Sequence, residues 1–289
     1  MFEGTYTALV TPFTLSGAVD YRKLEALADM QIAAGVDGLV PVGTTGESPT
    51  LDYDEHKKVI EVVIKAARGK AKVIAGTGGN STAEAIELTR HALDAGADGT
   101  LQVTPYYNKP SQTGLVRHFS AVADLGLPVV LYNVPGRTSR EIEVATVAEL
   151  AKHPKIVAVK EAGGSVERVS RIRALCGITI VSGDDSLTLP MMVCGAAGVI
   201  SVASNIAPGP VVELVRAAQR NDWLRARELH DKLFSLFTDL FLDTNPIPVK
   251  AAMAMAGLIE ETYRLPLCEM AAAPRAKLRA TLAALGLVK

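Results

Sequence analysis

Cysteine is scarce in this chain of 289 residues, which contains only Cys176, Cys194 and Cys268. Their number is odd and no C-x-x-C pair is present, which argues against a disulfide framework or a zinc ribbon. We therefore expect three buried thiols in a protein of the reducing cytoplasm. No G-x-G-x-x-G motif follows a predicted strand and no P-loop motif occurs, so neither dinucleotide nor nucleotide binding is indicated.

Long apolar runs, charge of one sign and paired metal ligands are missing as well. No segment reaches the roughly 18 uninterrupted apolar residues of a membrane span, and no basic n-region follows Met1, so we expect neither membrane insertion nor export. The 30 basic residues nearly cancel the 31 acidic ones, and without a run rich in Lys and Arg we expect no nucleic-acid partner. The histidines lack the paired spacing of a metal site, so no metal is predicted. They are His56, His91, His118, His153 and His230.

Short β-branched or apolar runs alternate with longer helical patterns through the first 205 residues, which is typical of parallel βα units. Strands are predicted near Thr5 to Val10, Gly38 to Val42, Val73 to Gly76, Gly99 to Val103, Val129 to Tyr132, Val157 to Lys160, Thr179 to Ser182 and Gly198 to Ser201. Helices are predicted at Tyr21 to Ala34, Asp54 to Ala67, Thr82 to Ala95, Thr113 to Asp124, Glu143 to Lys152, Val166 to Leu175, Ser186 to Cys194 and Pro210 to Arg220. This pattern predicts an α/β protein with a (β/α)8 TIM barrel.

After about Asn221 the pattern becomes wholly helical. The predicted helices there are Trp223 to Phe241, Pro248 to Ala256 and Pro274 to Leu285. We therefore predict a catalytic barrel over residues 1–220 and a C-terminal helical extension over residues 221–289 that packs on the barrel.

A lysine ends the apolar run Val157-Ala158-Val159-Lys160-Glu161-Ala162. Exposed lysine is protonated at neutral pH, whereas burial favours the neutral amine, which attacks carbonyl groups. Lys160 is therefore either a nucleophile that forms Schiff bases or a strand-end lysine whose stem is packed and whose amine reaches water. Neighbouring strands lie about 4.8 Å apart, so Tyr132, at the end of the fifth strand, should lie beside it.

Other polar residues follow the strands at the end of the barrel where active sites lie. Gly43-Thr44-Thr45-Gly46-Glu47-Ser48 after the second strand combines glycines, which let backbone amides approach an anion, with two hydroxyl groups, and it is either an anion site or only a turn. Arg137 lies in the turn after Tyr132, where it either binds a substrate carboxylate or forms a rim salt bridge. Gly183-Asp184-Asp185 follows the seventh strand; its aspartates disfavour a phosphorylated substrate, and we interpret them as N-caps of the next helix.

Several of these segments occur together in a known family. The segments are Gly43-Thr44-Thr45-Gly46-Glu47, Tyr106-Tyr107-Asn108, Tyr132-Asn133-Val134-Pro135-Gly136-Arg137-Thr138, Val159-Lys160-Glu161-Ala162 and Asn245-Pro246-Ile247-Pro248-Val249-Lys250. In order and spacing they resemble the dihydrodipicolinate synthase family over essentially the whole chain. The resemblance implies a pyruvate-dependent class I aldolase-type barrel, usually a homotetramer built as a dimer of dimers. Its members make 4-hydroxy-tetrahydrodipicolinate from pyruvate and aspartate semialdehyde in lysine biosynthesis, by the diaminopimelate route and without a cofactor.

The same resemblance implies a role for each matching residue. Lys160 would form the imine with pyruvate, and Thr44, Tyr132 and Tyr107 would relay protons through their hydroxyl groups, with Tyr107 supplied across a subunit interface. Thr44 and Thr45 would hold the pyruvate carboxylate. The remaining implied contacts are Arg137 for the carboxylate of the aldehyde, and Gly183 and Ile200 as pocket lining.

Three alternatives stay open. N-acetylneuraminate lyase and the sugar-acid aldolases share the fold and the lysine, but the neuraminate branch generally lacks the arginine at Arg137 and has serine before threonine in place of Thr44-Thr45. An enzyme that holds pyridoxal phosphate on Lys160, or a non-catalytic barrel that binds a small acid, belongs to a different class.

A second polar set matches positions that bind L-lysine in feedback-inhibited relatives. Its members are Ser48, His56, Asn80, Glu84 and Tyr106. The resemblance implies inhibition by lysine, transmitted from Tyr106 to the adjoining Tyr107. Two positions depart from those relatives, since Pro49 stands where alanine is common and Tyr53 where some have histidine. The alternative is that His56 and Glu84 only form polar faces of their helices.

Overall fold

Eight parallel strands close into a barrel in which each strand pairs with its neighbours in sequence and the last pairs with the first. The computed structural model describes residues 1–288. The strands are β1 Gly4–Ala8, β2 Gly38–Val40, β3 Lys72–Gly76, β4 Gly99–Val103, β5 Val129–Asn133, β6 Ile156–Glu161, β7 Thr179–Ser182 and β8 Gly198–Ser201. The predicted (β/α)8 barrel is confirmed.

Helices surround the barrel. They are α1 Tyr21–Ala33, α2 Tyr53–Ala67, α3 Thr82–Ala95, α4 Gln112–Ala123, α5 Pro135–Thr138, α6 Val144–Leu150, α7 Glu167–Arg173, α8 Thr188–Val193 and α9 Pro208–Gln219. Sequence sets their ends: a capping box of Asp52 and Glu55 starts α2, whereas Gly96 ends α3 in the left-handed conformation that glycine adopts without steric cost. Short 3₁₀ turns occur at Ser48–Thr50, Asp185–Leu187 and Ala203–Asn205.

Alternation along the strands separates two apolar cores. One fills the barrel and includes Tyr6, Val40, Val130, Ala158 and Ile200, whereas the larger core lies between the strands and the helices. Because side chains of a strand alternate between its two faces, the inward position of Ala158 directs Lys160 inward as well. The barrel core thus ends below the lysine.

Three further helices form the C-terminal extension: α10 Trp223–Asp239, α11 Ile247–Met255 and α12 Ala272–Ala284. Helix α10 packs on α9, α12 contacts α10 and α11, and α11 contacts Ala203–Asn205. The extension therefore packs on the barrel, and the division at residue 220 stays a prediction.

Two expectations concern exposure. Cys176 and Cys194 are partly buried but Cys268 is exposed, so the expectation of three buried thiols is wrong. Cys268 lies in an irregular segment between α11 and α12, where no helical periodicity indicates burial. None of the helices within residues 1–288 is long and apolar enough to cross a membrane.

Candidate active site

The Lys160 side chain lies at the carboxyl end of β6, almost fully buried at 5% exposure. Its Cα pairs in register with that of Tyr132 on β5, which confirms the predicted neighbours. The Lys160 Nζ lies 4.1 Å from the centroid of the Tyr132 ring. The Tyr132 phenol, which can both donate and accept a proton, therefore belongs to the same site as the Lys160 amine.

Small residues leave room for the lysine stem. A Cβ added to Gly183 would lie 2.9 Å from Lys160 Cε, 3.2 Å from Lys160 Cγ and 2.7 Å from Ala162 Cβ. Carbon atoms that are not bonded to each other normally stay farther apart than this. Position 183 therefore requires glycine, because Lys160 and Ala162 approach its backbone closely. Ile200, at 1% exposure, closes the barrel core nearby. Gly183 therefore lies against the lysine stem, and the role of Gly183 and Ile200 as pocket lining stays a prediction.

Asp184 and Asp185 follow Gly183, and burial raises the pKa of both carboxyl groups while the positive charge of Lys160 opposes the shift. Neither side chain caps the turn that begins at Asp185, so that interpretation is wrong. The Asp185 carboxylate instead accepts hydrogen bonds from the backbone N–H groups of Val202 and Ala203, at 3.0 Å and 2.9 Å. In phosphate-binding barrels the corresponding amides bind the phosphate. Because Asp185 occupies them here, this region does not fit the phosphate of pyridoxal phosphate.

The turn after β2 presents backbone donors to the same end of the barrel. The N–H groups of Gly46 and Glu47 bond to the carbonyl groups of Gly43 and Thr44, which closes the turn. Within the described part of the chain, the N–H groups of Thr44 and Thr45 donate to no acceptor. Two adjacent free amides form a site for an anion such as a carboxylate. The Thr45 hydroxyl is already engaged, since it accepts a hydrogen bond of 3.0 Å from Asn245 Nδ2.

Arg137 lies on the short helix α5, where the sequence predicted only a turn. Its guanidinium donates a 3.1 Å hydrogen bond to the Asn245 carbonyl oxygen. Arg137 also lines a cavity of about 180 Å³ that Thr44, Tyr106 and Val134 share. The structure thus brings an exposed guanidinium and the Thr44 turn to one cavity, with Tyr132 behind Thr44 in the adjoining small cavity.

Tyr107 is separated from these groups. It is 91% exposed and has a left-handed backbone with φ of 70°. The next residue, Asn108, anchors the loop by donating a 2.8 Å hydrogen bond to the Asn80 carbonyl oxygen. The structure therefore does not bring Tyr107 into the site of its own chain, and its supply across a subunit interface stays a prediction.

Most of the second polar set lines one cavity of about 240 Å³, which includes Ser48, His56, Glu84 and Tyr106. Asn80 is not among the lining residues; its carbonyl group serves Asn108. Ser48 and Tyr106 also line the cavity that contains Thr44 and Arg137. The two cavities therefore share a wall.

Charge and hydrogen bonding in this second cavity suit a cationic ligand. Burial lowers the pKa of His56 to about 4, and its Nε2 lies 2.8 Å from the Gly76 carbonyl oxygen, so the ring is neutral and Nε2 donates. Burial and the negative charge of the Glu84 carboxylate raise the pKa of Tyr53. Burial and the same carboxylate raise the pKa of Tyr106. Glu84 thus places a carboxylate in the cavity beside Tyr53, whereas the Asp52 carboxylate, which also lines it, caps α2.

Sequence reasoning assigned no role to two polar residues of the extension. Asn245 joins Arg137 and Thr45, as described above, and Lys250 is fully buried in an ion pair with Glu47. A lysine inside the apolar run of α11 was the available signal, because an unpaired lysine is almost never fully buried.

Comparison with known proteins gives full-length similarity. Residues 1–285 match the dihydrodipicolinate synthetase family. A 4-hydroxy-tetrahydrodipicolinate synthase of Pelobacter propionicus is 54% identical over 291 residues and covers 100% of both chains.

Solved structures give the same result. Chloride-inhibited dihydrodipicolinate synthase from Acinetobacter baumannii, complexed with pyruvate, is 45% identical, with a TM-score of 0.98 and 100% of both chains covered. The enzyme from Cyanidioschyzon merolae with lysine bound is 43% identical, with a TM-score of 0.96 and 99% of both chains covered.

Proposed function

The chain belongs to the dihydrodipicolinate synthetase family, and from that membership we propose that it condenses pyruvate with L-aspartate 4-semialdehyde to 4-hydroxy-tetrahydrodipicolinate. This reaction belongs to the diaminopimelate route to lysine. The observation that carries the proposal is the buried Lys160 amine beside the Tyr132 ring at the carboxyl end of the barrel. The full-length identity to a relative of that name supports the choice of substrates.

Lys160 begins the reaction as a nucleophile. Its neutral amine attacks the keto carbon of pyruvate, and loss of water from the carbinolamine gives an imine. Removal of a proton from the pyruvate methyl group converts the imine to an enamine, whose carbon then bonds to the aldehyde carbon of the second substrate. The amine of that substrate attacks the imine carbon and closes the ring, which breaks the bond to Lys160 and restores the free lysine.

Pyruvate is held by its carboxylate at the free N–H groups of Thr44 and Thr45. Hydroxyl groups move the protons, because each can donate and accept in turn. Tyr132 is beside the lysine and Thr44 lines the cavity next to it. Tyr107 completes the relay from a second copy of the chain, which its 91% exposure supports. A homotetramer built as a dimer of dimers, which the family resemblance implies, supplies that second copy.

Arg137 selects the second substrate. Its guanidinium lines the cavity that also contains Thr44, where it can bind the carboxylate of aspartate semialdehyde with two hydrogen bonds. Its bond to the Asn245 carbonyl uses only one of its donors. This arginine favours aspartate semialdehyde over the substrates of N-acetylneuraminate lyase and the sugar-acid aldolases.

L-lysine inhibits the enzyme from the second cavity. Glu84 supplies the negative charge for its ammonium groups, and the neutral His56 ring leaves Nδ1 as an acceptor for the side-chain amine. A ligand bound at Glu84 lies beside Tyr53 and contacts Tyr106, which forms part of both cavities. The relative with lysine bound supports lysine as the ligand.

Product formation with two second substrates tests the activity. Purified enzyme with pyruvate and aspartate semialdehyde should consume both with formation of the cyclic product, whereas cleavage of N-acetylneuraminate should stay at background. Arg137→Ala is the matched variant, because it should lower the first activity without gaining the second. Turnover of N-acetylneuraminate with no use of aspartate semialdehyde would contradict the proposal.

A further inference from the structure

A fully buried ion pair joins the C-terminal extension to the turn after β2. Lys250 Nζ on α11 lies 2.5 Å from Glu47 Oε1, and both side chains have 0% exposure. The Lys250 amine also lies 4.1 Å from the centroid of the Phe13 ring. Removing two charges from water is unfavourable unless the pair is closely bonded, so this pair requires an explanation beyond packing.

Strained backbone marks the two ends of the same turn. Val42 and Glu47 both have left-handed backbones, with φ of 55° and 56°. This conformation is unfavourable for a residue with a Cβ and most unfavourable for a β-branched one. Such residues persist when surrounding contacts determine their conformation, and they cluster at functional sites. The segment between them, Gly43–Gly46, contains the two free amides of Thr44 and Thr45.

One segment of the extension holds this turn at two points. Asn245 Nδ2 donates to the Thr45 hydroxyl at 3.0 Å, and five residues later Lys250 binds Glu47. Thr50 reinforces the second point, since its N–H and hydroxyl both donate to the Glu47 carbonyl oxygen, at 2.9 Å and 3.1 Å. The contacts from Asn245 and Lys250 both come from the extension, so the barrel without the extension would lack them.

We propose that Lys250 is a positioning residue for pyruvate, which through its ion pair with Glu47 holds the Thr44–Thr45 amides in the orientation that binds the substrate carboxylate. The proposal rests on the proposed function, because it assigns those amides to pyruvate. It also makes the C-terminal extension part of the substrate site, although Lys250 itself touches no substrate.

The test uses neutral variants of the pair in the full-length protein. Lys250→Met alone would leave the Glu47 carboxylate buried without a counter-charge. The double variant Glu47→Gln/Lys250→Met is used instead, because replacing both charges of a buried pair is often tolerated. The measurement is the pyruvate concentration that gives half-maximal borohydride trapping of Lys160. We expect it to rise about tenfold, which corresponds to about 1.4 kcal/mol, while trapping at saturating pyruvate stays complete.

Two further variants separate positioning from general stability. Glu47→Gly/Lys250→Met should stay within about threefold of the parent, because glycine adopts the left-handed conformation without help from a side-chain contact. Glu261→Gln/Arg275→Met removes another ion pair of the extension and should leave the half-maximal concentration unchanged. Thermal unfolding of every variant verifies that the proteins compared are folded.

The outcomes are distinguishable. A parental half-maximal concentration in Glu47→Gln/Lys250→Met would overturn the role of Lys250, and equal impairment of the glycine variant would overturn the backbone mechanism. Failure of the parent itself to trap pyruvate on Lys160 would instead contradict the proposed function.

Discussion

Gly183→Ala should impair catalysis by displacing Lys160. The new methyl carbon would lie 2.9 Å from Lys160 Cε and 2.7 Å from Ala162 Cβ. Restoring a carbon–carbon contact of about 3.5 Å requires shifts of roughly 0.6 Å and 0.8 Å. The backbone of Gly183 is not left-handed, so the effect is steric and lies on the lysine stem.

The magnitude follows from these shifts. Overpacking of this kind costs about 1–3 kcal/mol of stability, and a displacement of about 1 Å at a reacting group can cost on the order of 100-fold in rate. We expect kcat/KM to fall by one to two orders of magnitude, together with slower borohydride trapping of pyruvate. Steady-state kinetics, trapping rates and thermal unfolding measure the three effects.

Two control variants make the result specific. Gly209→Ala lies at the start of α9 with no atom within 4 Å of the added Cβ, so it should match the parent. Gly183→Ala/Ala162→Gly removes only the contact with Ala162 and should not restore activity. Activity of Gly183→Ala within about twofold of the parent would refute the steric argument, and full recovery in the double variant would assign the effect to Ala162.

Three other predictions concern Arg137, Glu84 and His118. Arg137→Ala should lower kcat/KM for aspartate semialdehyde about thirtyfold, from roughly 2 kcal/mol of lost carboxylate binding, while pyruvate trapping survives; equal loss of both would make Arg137 structural. Glu84→Gln should raise the lysine concentration for half-maximal inhibition about tenfold without changing the uninhibited rate, and unchanged inhibition would place the effector elsewhere. Burial lowers the pKa of His118 from 6.5 to about 4. The unfolded chain therefore binds the proton more readily, and stability is lost as pH falls from 6.5 through 4. Between pH 7 and a pH below 4, the free energy of unfolding of His118→Gln should fall by roughly 3 kcal/mol less than that of the parent, as measured by denaturant unfolding. Identical pH dependence in both proteins would contradict this.

The sequence sufficed where structure depends on local patterns and on pairing between consecutive strands. Neighbouring parallel strands end at the same edge, so Tyr132 beside Lys160 could be predicted from two short apolar runs. The ends of β4, β7 and β8 were also predicted, because glycine and polar residues interrupt the apolar runs there.

Contacts between distant segments were not predictable in the same way. Asp185 bonds to amides beyond β8 and not to its own turn, because a short carboxylate accepts from whichever free amides the folded loops bring close. Lys250 meets Glu47 across 203 positions of sequence, and Asn245 meets Thr45 across 200. Both contacts require the extension to fold back over the barrel, which no periodicity records. The strained backbone of Val42 likewise follows from packing and not from its own preference.

Trapping of the imine on Lys160 tests the central claim most directly. Enzyme incubated with pyruvate is reduced with borohydride, digested, and its peptides are mapped by mass, with enzyme reduced without pyruvate as the control. We predict one modified peptide, containing Lys160, whose mass increases by that of a reduced pyruvate adduct, and no adduct on Lys250. An unmodified Lys160 peptide after reduction at saturating pyruvate would contradict the mechanism.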